Sequence, residues 1–157
     1  MTTEQLLVKK LKSKNMIVTT AESCTGGLIA KRITDVAGSS EVFECGIVSY
    51  SNRIKSELLG VSPETLKKYG AVSEQTATEM AAGVLKLTKA DIAVAVTGIA
   101  GPDSDNTQKP VGLVYIAVSD GKNIIVKKLL NHFTDDIRTQ NRNMSADTAL
   151  KILLEFI

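Results

Sequence analysis

Residues 91–97 read DIAVAVT, and this stretch decides the fold. Its apolar run is continuous rather than alternating, which indicates a strand that is covered on both faces. Such a strand belongs in a parallel or mixed sheet with helices on each side. Working toward the N-terminus, the short apolar runs at residues 16–20 and 42–50 predict two further strands of the same sheet.

Helical patterns separate these strands. The predicted helices span about residues 4–14, 25–36, 52–59, 63–69 and 73–87. Thr3 is the expected cap of the first helix, and the pair Ser62-Pro63 is typical of a helix start. Strands and helices therefore alternate through the first two thirds of the chain, which favours an α/β fold.

Toward the C-terminus the order changes. A loop rich in Gly, Pro and Asp covers residues 98–110, and strands are predicted at 112–119 and 123–131. Asp120-Gly121 between them is typical of a hairpin turn, so this pair should be antiparallel. Residues 134–136 would cap a last helix that runs close to Ile157. We predict one domain over residues 1–157, a three-layer α/β/α sandwich with a mixed, mostly parallel sheet and a C-terminal hairpin.

The bulk composition excludes several classes of function. The chain has 157 residues and a net charge of +2, which is too small to indicate a nucleic-acid partner. Its two cysteines do not make a disulfide framework. The longest apolar stretch, residues 92–100, is about half the length that a membrane helix needs. With no recognisable signal peptide, we expect a cytoplasmic protein without a membrane partner.

Three loops should meet at the carboxyl edge of the sheet, where open α/β sheets bind ligands: residues 21–27, 50–55 and 97–102. The first reads AESCTGG and would place Ser23 near a helix N-terminus, which suits an oxyanion or a phosphate. Gly26 and Gly27 would let a ligand approach the backbone. By local physics alone a helix-capping serine beside packing glycines is the commoner interpretation.

A nucleophilic serine needs a base. His132, the sole histidine, falls late in a predicted strand without a clear acidic partner, which disfavours a Ser-His-Asp triad. Lys55 lies one helical turn beyond a strand end and can serve if burial depresses its pKa. Tyr50, at the mouth of that strand, could share a proton with Lys55 or Ser23. The plainer interpretations are a solvated helix lysine and an aromatic residue at the sheet edge.

Six motifs are specific in combination, and they occur in the order TAESCTGG (20–27), AGSS (37–40), YSN with Lys55 (50–55), GAVS (70–73), TGIAGPD (97–103) and KPVG (109–112). Through them the chain resembles, over nearly its whole length, the C-terminal domain of the CinA proteins. That family includes a stand-alone nicotinamide-nucleotide amidase. The resemblance implies hydrolysis of the carboxamide of nicotinamide mononucleotide to nicotinic acid mononucleotide and ammonia, with no metal and no cofactor.

The resemblance also implies roles for individual residues. Ser23 would be the nucleophile, and Tyr50 with Lys55 would handle its proton. The implied substrate contacts are Thr25, Gly26, Gly27, Thr97, Gly98, Gly101, Arg138 and Arg142. The implied partner is the small nucleotide, and the relatives suggest a homo-oligomer, for which the Ala-rich helix 74–87 offers an apolar face. Because the N-terminal domain of full-length CinA is lacking, the stand-alone form is the expected match.

One segment departs from the family pattern. The family commonly has Gly-Asp-Arg and a second arginine near the start of the last helix, whereas residues 133–142 read FTDDIRTQNR. The glycine is absent and the first arginine stands one position later. Arg138 or Arg142 would meet the phosphate, and the sequence leaves the choice open. Alternatively, both arginines lie on the solvated face of that helix.

Two rival functions stay open at this stage. A thiol amidase would use Cys24, since a thiol near a helix N-terminus can have a lowered pKa. A nucleotide-binding or interaction module of the same family would use the glycine-rich loops without efficient catalysis.

Overall fold

The computed structural model describes all 157 residues of the chain as five strands, six α-helices and one short 3-10 helix. The strands are β1 (Val18–Glu22), β2 (Phe43–Val48), β3 (Ile92–Gly98), β4 (Leu113–Ser119) and β5 (Ile124–Leu130). The helices are α1 (Thr3–Ser13), α2 (Leu28–Thr34), α3 (Asn52–Leu59), α4 (Pro63–Tyr69), α5 (Glu74–Thr88) and α6 (Ile137–Phe156), and the 3-10 turn is Ser39–Glu41.

All five strands form one sheet in the order β2-β1-β3-β4-β5. Strand β1 pairs in parallel with both β2 and β3, whereas β4 pairs antiparallel with β3 and with β5. Four strands therefore run in one direction and β4 alone runs against them. The mixed sheet and the C-terminal hairpin are as predicted, and the Asp120 carboxylate accepts hydrogen bonds from the Lys122 and Asn123 N–H groups in the hairpin turn.

The two faces of β3 explain the three layers. Val94 and Val96 belong to a large apolar cluster with residues of α1, α2 and α6. Ala93 and Ala95, which alternate with them, pack with residues of α5 on the opposite face. Successive side chains of a strand point to opposite faces, so a continuous apolar run supplies both layers at once. The α/β/α architecture is confirmed.

The helix α5 corrects one expectation. Its buried residues Ala77, Met80, Ala81 and Val84 pack onto the sheet of the same chain. This apolar face is therefore not free to form a contact between copies. Helix α3 also approaches α5 very closely, because a Cβ atom at Gly83 would lie 1.7 Å from the carbonyl oxygen of Leu59.

Several element boundaries differ from the expectation, and the contacts around three of them explain the difference. Thr2, not Thr3, caps α1, because its hydroxyl accepts from the Gln5 N–H while the Gln5 side chain accepts from the Thr2 N–H. Strand β1 extends to Glu22, since it is paired on both sides up to that residue. Helix α2 begins at Leu28, after a turn in which Gly26 and Gly27 adopt positive φ.

Each helix of this fold is too short or too polar to span a membrane. None of them combines the length and the apolar character needed to cross a bilayer.

Candidate active site

A cleft of about 250 Å³ opens at the sheet edge where the parallel strands β1, β2 and β3 end. Its lining comes from the turn after β1, the loop between β2 and α3, the segment before α5, the loop after β3 and the start of α6. The lining residues are Ser23, Cys24, Tyr50, Asn52, Lys55, Ala71, Val72, Thr97–Gly101, Asp103–Asp105 and Arg138. The three loops that were expected to meet at this edge do meet there.

Ser23 and Lys55 form the floor of the cleft. Lys55 is only 1% exposed, and its ammonium nitrogen Nζ lies 3.1 Å from the Ser23 Oγ. The Ser23 N–H donates to the carbonyl of Val96, which fastens the residue to β3. Lys55 belongs to α3, whose first turn is capped by the Ser51 hydroxyl. Burial lowers the pKa of Lys55, because desolvation disfavours the charged ammonium.

Cys24 is a buried neighbour of this pair. Burial raises the pKa of its thiol to about 12, so the thiol is protonated near pH 7. A Cys24 thiolate would raise the pKa of Lys55, and that opposing effect is absent while the thiol stays neutral. The environment thus favours a neutral lysine amine beside Ser23.

Glu22, and not Ser23, caps the N-terminus of helix α2. Its carboxylate accepts from the Thr25 hydroxyl and from the N–H groups of Ile29 and Ala30 in the first turn of α2. Ser23 itself lies five residues before Leu28, where α2 begins. The interpretation of Ser23 as a helix cap is therefore wrong, and sequence reasoning missed Glu22. An acidic residue shortly before a predicted helix was the available signal.

Unpaired N–H groups lie in the turn after Ser23. The N–H groups of Cys24, Thr25 and Gly27 have no backbone acceptor, whereas the Gly26 N–H donates to the Ser23 carbonyl. Donors of this kind next to a nucleophile can hold a negatively charged oxygen.

The rim of the cleft carries Tyr50 and Arg138. The guanidinium of Arg138 donates to the Tyr50 hydroxyl at 2.7 Å and to the carbonyl of Gly101 at 2.8 Å. These contacts join α6, the loop after β2 and the loop after β3. Tyr50 is 59% exposed, so the rim is open to solvent, in contrast to the floor.

The other expected site residues divide into two groups. Thr97, Gly98 and Gly101 line the cleft, and the buried Thr97 hydroxyl donates to the carbonyl of Ala71. Thr25, Gly26, Gly27 and Arg142 do not line it. Arg142 instead donates to the carbonyls of Cys24 and Thr25, at 3.1 and 2.9 Å.

The start of α6 clarifies the departure from the family pattern. Asp136 adopts φ 43°, a left-handed conformation that favours glycine. If the glycine of the Gly-Asp-Arg pattern corresponds to position 136, the arginine of that pattern falls at 138, and not one position earlier as the sequence comparison implied. Arg138 is also the arginine at the cleft.

Several residues at the rim have no counterpart in the sequence-based prediction. Asn52, Asp103 and Asp105 line the cleft without having been singled out. Asn52 and Asp103 had an available signal, because they belong to the YSN and TGIAGPD motifs, whereas Asp105 had only its position in the loop 98–110. His132 is exposed, lies beyond the end of β5 and does not line the cleft. No cluster of three or more His, Cys, Asp and Glu side chains is arranged to hold a metal ion.

The fold and site define an α/β sandwich with a buried Ser-Lys pair at the carboxyl edge of its sheet. The chain belongs to the family described as the CinA C-terminal domain, whose model matches residues 1–157. Motif combination and fold thus lead to the same family that the sequence resembles.

Individual relatives differ in length and in the names they carry. The chain is 54% identical, over 149 residues, to the nicotinamide-nucleotide amidohydrolase PncC of Enterobacter agglomerans, covering 94% of this chain and 89% of that protein. It is 58% identical, over 126 residues, to a putative competence-damage inducible protein of Acetivibrio thermocellus, covering 80% of this chain but only 30% of that protein.

The crystal structure of a competence/damage inducible protein from Agrobacterium tumefaciens has the same fold. It superposes with a TM-score of 0.90 at 44% identity, covering 98% of this chain and 94% of that one. The similarity therefore extends over essentially the whole domain.

Proposed function

We propose that the protein hydrolyses the carboxamide of nicotinamide mononucleotide to nicotinic acid mononucleotide and ammonia. The observation that carries the proposal is the contact between Lys55 and Ser23 on the floor of the cleft. The similarity to PncC, which spans nearly the full length of both chains, supports this substrate.

Lys55 is the immediate base in this proposal, because it contacts Ser23 directly and burial favours its neutral form. The amine takes the proton of the Ser23 hydroxyl while Oγ attacks the carboxamide carbon. The tetrahedral intermediate then breaks its C–N bond, and Lys55 returns the proton to the leaving ammonia. Water attacks the resulting ester, gives its proton to Lys55, and releases the acid as Ser23 regains its hydrogen.

The turn after Ser23 stabilises the oxyanion of that intermediate. Among the N–H groups of this turn that have no backbone acceptor, that of Cys24 directly follows the nucleophile and belongs to a residue that lines the cleft. Losing one such donor typically raises a barrier by about 3–4 kcal/mol.

Arg138 holds the phosphate at the rim. It lines the cleft above Ser23 and also a second cleft formed by Pro102 and residues 134–139. A nucleotide with its carboxamide at Ser23 would extend toward Arg138. A guanidinium can bind a phosphate in a bidentate manner, through two parallel hydrogen bonds. Phosphate binding would exchange the Tyr50 hydroxyl for phosphate oxygens and leave Tyr50 to hydrogen-bond the substrate.

The thiol alternative is disfavoured by the state of Cys24. A thiol whose pKa is about 12 supplies almost no thiolate near pH 7. Cys24→Ser should therefore retain amidase activity, and iodoacetamide should inactivate the wild type slowly. Loss of activity in Cys24→Ser together with rapid inactivation would favour the thiol mechanism.

Ammonia release from nicotinamide mononucleotide by the purified protein tests the function. We expect release that is unaffected by a chelator and absent in Ser23→Ala. A folded wild-type protein that binds the nucleotide but releases no ammonia would favour the binding-module alternative. Cytoplasmic location, homo-oligomeric assembly and the absence of a nucleic-acid partner stay predictions.

A further inference from the structure

Glu22 is a buried carboxylate that the proposed reaction does not use. It is 1% exposed, directly precedes Ser23 and does not line the cleft. Helix α2 begins after Gly27, which has no side chain to cap it, and Glu22 supplies the cap through the Ile29 and Ala30 N–H groups. A carboxylate is also the charge that a helix N-terminus favours. One group thus ties the residue before the nucleophile to the helix after it.

Arg142 holds the same turn from α6. Its guanidinium donates to the carbonyls of Cys24 and Thr25, which lie more than a hundred residues away in the chain. Gly26 makes room for this approach, because a Cβ atom there would lie 3.3 Å from the Arg142 Nη2. Gly26 also adopts φ 58°, which an L side chain rarely does.

Glu22 and Arg142 bind different polar groups of the turn after Ser23. Arg142 binds the carbonyl oxygens of Cys24 and Thr25, and Glu22 binds the Thr25 hydroxyl. The N–H groups of Cys24, Thr25 and Gly27 are left without a backbone acceptor. We propose that Glu22 and Arg142 are positioning residues that fix the conformation of the turn after Ser23 and so keep the Cys24 N–H free for the oxyanion.

This inference rests on the proposed function and makes the roles of the two arginines distinct. The guanidinium of Arg142 is committed to backbone carbonyls and is absent from the cleft lining, whereas Arg138 lines the cleft. Arg142 should therefore act on the chemical step and Arg138 on phosphate binding.

The test compares Glu22→Gln and Arg142→Gln with matched controls elsewhere. Glu22→Gln keeps the shape of the side chain but replaces one acceptor oxygen with an NH₂ group, which cannot accept a hydrogen bond. The controls are Glu4→Gln and Arg32→Gln, which break the ion pair between Glu4 and Arg32 and leave the Ser23 turn intact. For each variant, kcat and KM are measured with nicotinamide mononucleotide and with its dephosphorylated riboside.

We expect kcat to fall by about 100-fold in both test variants, with KM little changed, because small misplacements in a site cost this much. The fall should be equal for the two substrates. The controls should keep kcat. A loss in Arg142→Gln that is confined to KM for the phosphorylated substrate would instead make Arg142 a phosphate ligand and overturn the proposal. Unchanged kcat in Glu22→Gln would overturn it as well.

Amide hydrogen exchange supplies a readout that needs no substrate. Exchange in residues 23–30 should accelerate in Glu22→Gln and Arg142→Gln, but not in the controls. Unchanged exchange in residues 23–30 would contradict the positioning role of Glu22 and Arg142, even if the wild type proved inactive on nicotinamide mononucleotide. Should Glu22→Gln fail to fold, Arg142→Gln and the charge-preserving Arg142→Lys carry the same comparison, because Arg142 is only half-buried.

Discussion

The floor and the rim of the cleft are built in different ways. On the floor, Ser23 and Lys55 are buried and contact each other directly, and the buried Glu22 behind them holds the turn that follows Ser23. At the rim, Tyr50 and Arg138 are exposed and contact each other across loops. Buried groups have few alternative positions, which suits proton transfer, whereas exposed groups can exchange partners when a ligand arrives. We therefore propose that the floor carries out the chemistry and that the rim recognises the substrate.

The largest expected effect comes from removing either member of the floor pair. Ser23→Ala and Lys55→Met should each lower kcat on the order of 10⁴-fold or more, as loss of a nucleophile or its base does in serine hydrolases. Assays of ammonia release measure this effect. Lys55→Met should also unfold at an equal or higher temperature than the wild type, because it removes a buried amine. Activity within tenfold of wild type in a folded variant would break the assignment of chemistry to the floor.

An intermediate effect is expected at the rim. Arg138→Gln should raise KM for nicotinamide mononucleotide by about 30- to 160-fold, which corresponds to the loss of a charge-assisted hydrogen bond of about 2–3 kcal/mol. The riboside, which has no phosphate, should be affected much less. Steady-state kinetics with both substrates separate the outcomes. An equal loss for both would mean that Arg138 acts through Tyr50 or the Gly101 loop and not through phosphate.

A smaller effect is expected at Gly98, a residue of the cleft lining that is packed closely against Val114 and Cys24. A Cβ atom at Gly98 would lie 2.7 Å from Val114 Cγ2 and 3.1 Å from Cys24 Sγ. Gly98→Ala should therefore cost about 1–3 kcal/mol of unfolding free energy through overpacking. Urea denaturation measures the change. Gly121→Ala is the control, since nothing lies within 4 Å of its Cβ position and only its positive φ is strained. A Gly98→Ala variant as stable as the wild type would contradict the tight packing around the Gly98 Cβ position.

The smallest effect is a stabilisation beside the rim. Asp136 adopts φ 43° at the start of α6 and makes no side-chain cap hydrogen bond. Asp136→Gly should relieve this strain and raise the unfolding free energy by roughly 0.5–1 kcal/mol, partly offset by the more flexible unfolded chain. Thermal unfolding measures it. Destabilisation would mean that the Asp136 carboxylate has a favourable role that its contacts do not reveal.

The sequence predicted the layers well because they depend on patterns that local residues carry. The run Ile92–Val96 indicated both faces of the sheet, and Asp120-Gly121 indicated the hairpin. It failed for the turn after β1, because the cap of α2 is Glu22, on the preceding strand, and no pattern within the helix encodes that contact. The sequence also could not show whether Arg138 or Arg142 lies at the cleft, because that depends on how α6 packs against loops that are distant in the chain.

The central claim is that neutral Lys55 activates Ser23, and the pH dependence of kcat/KM tests it most directly. Burial lowers the pKa of Lys55 below the value of about 10.4 found in unfolded chains. Because the neutral amine is the base, kcat/KM for ammonia release should rise with pH and level off above this lowered pKa. The same limb should be absent from the residual activity of Lys55→Met. A kcat/KM that stays constant or falls as the pH rises through the pKa of Lys55 would contradict this mechanism.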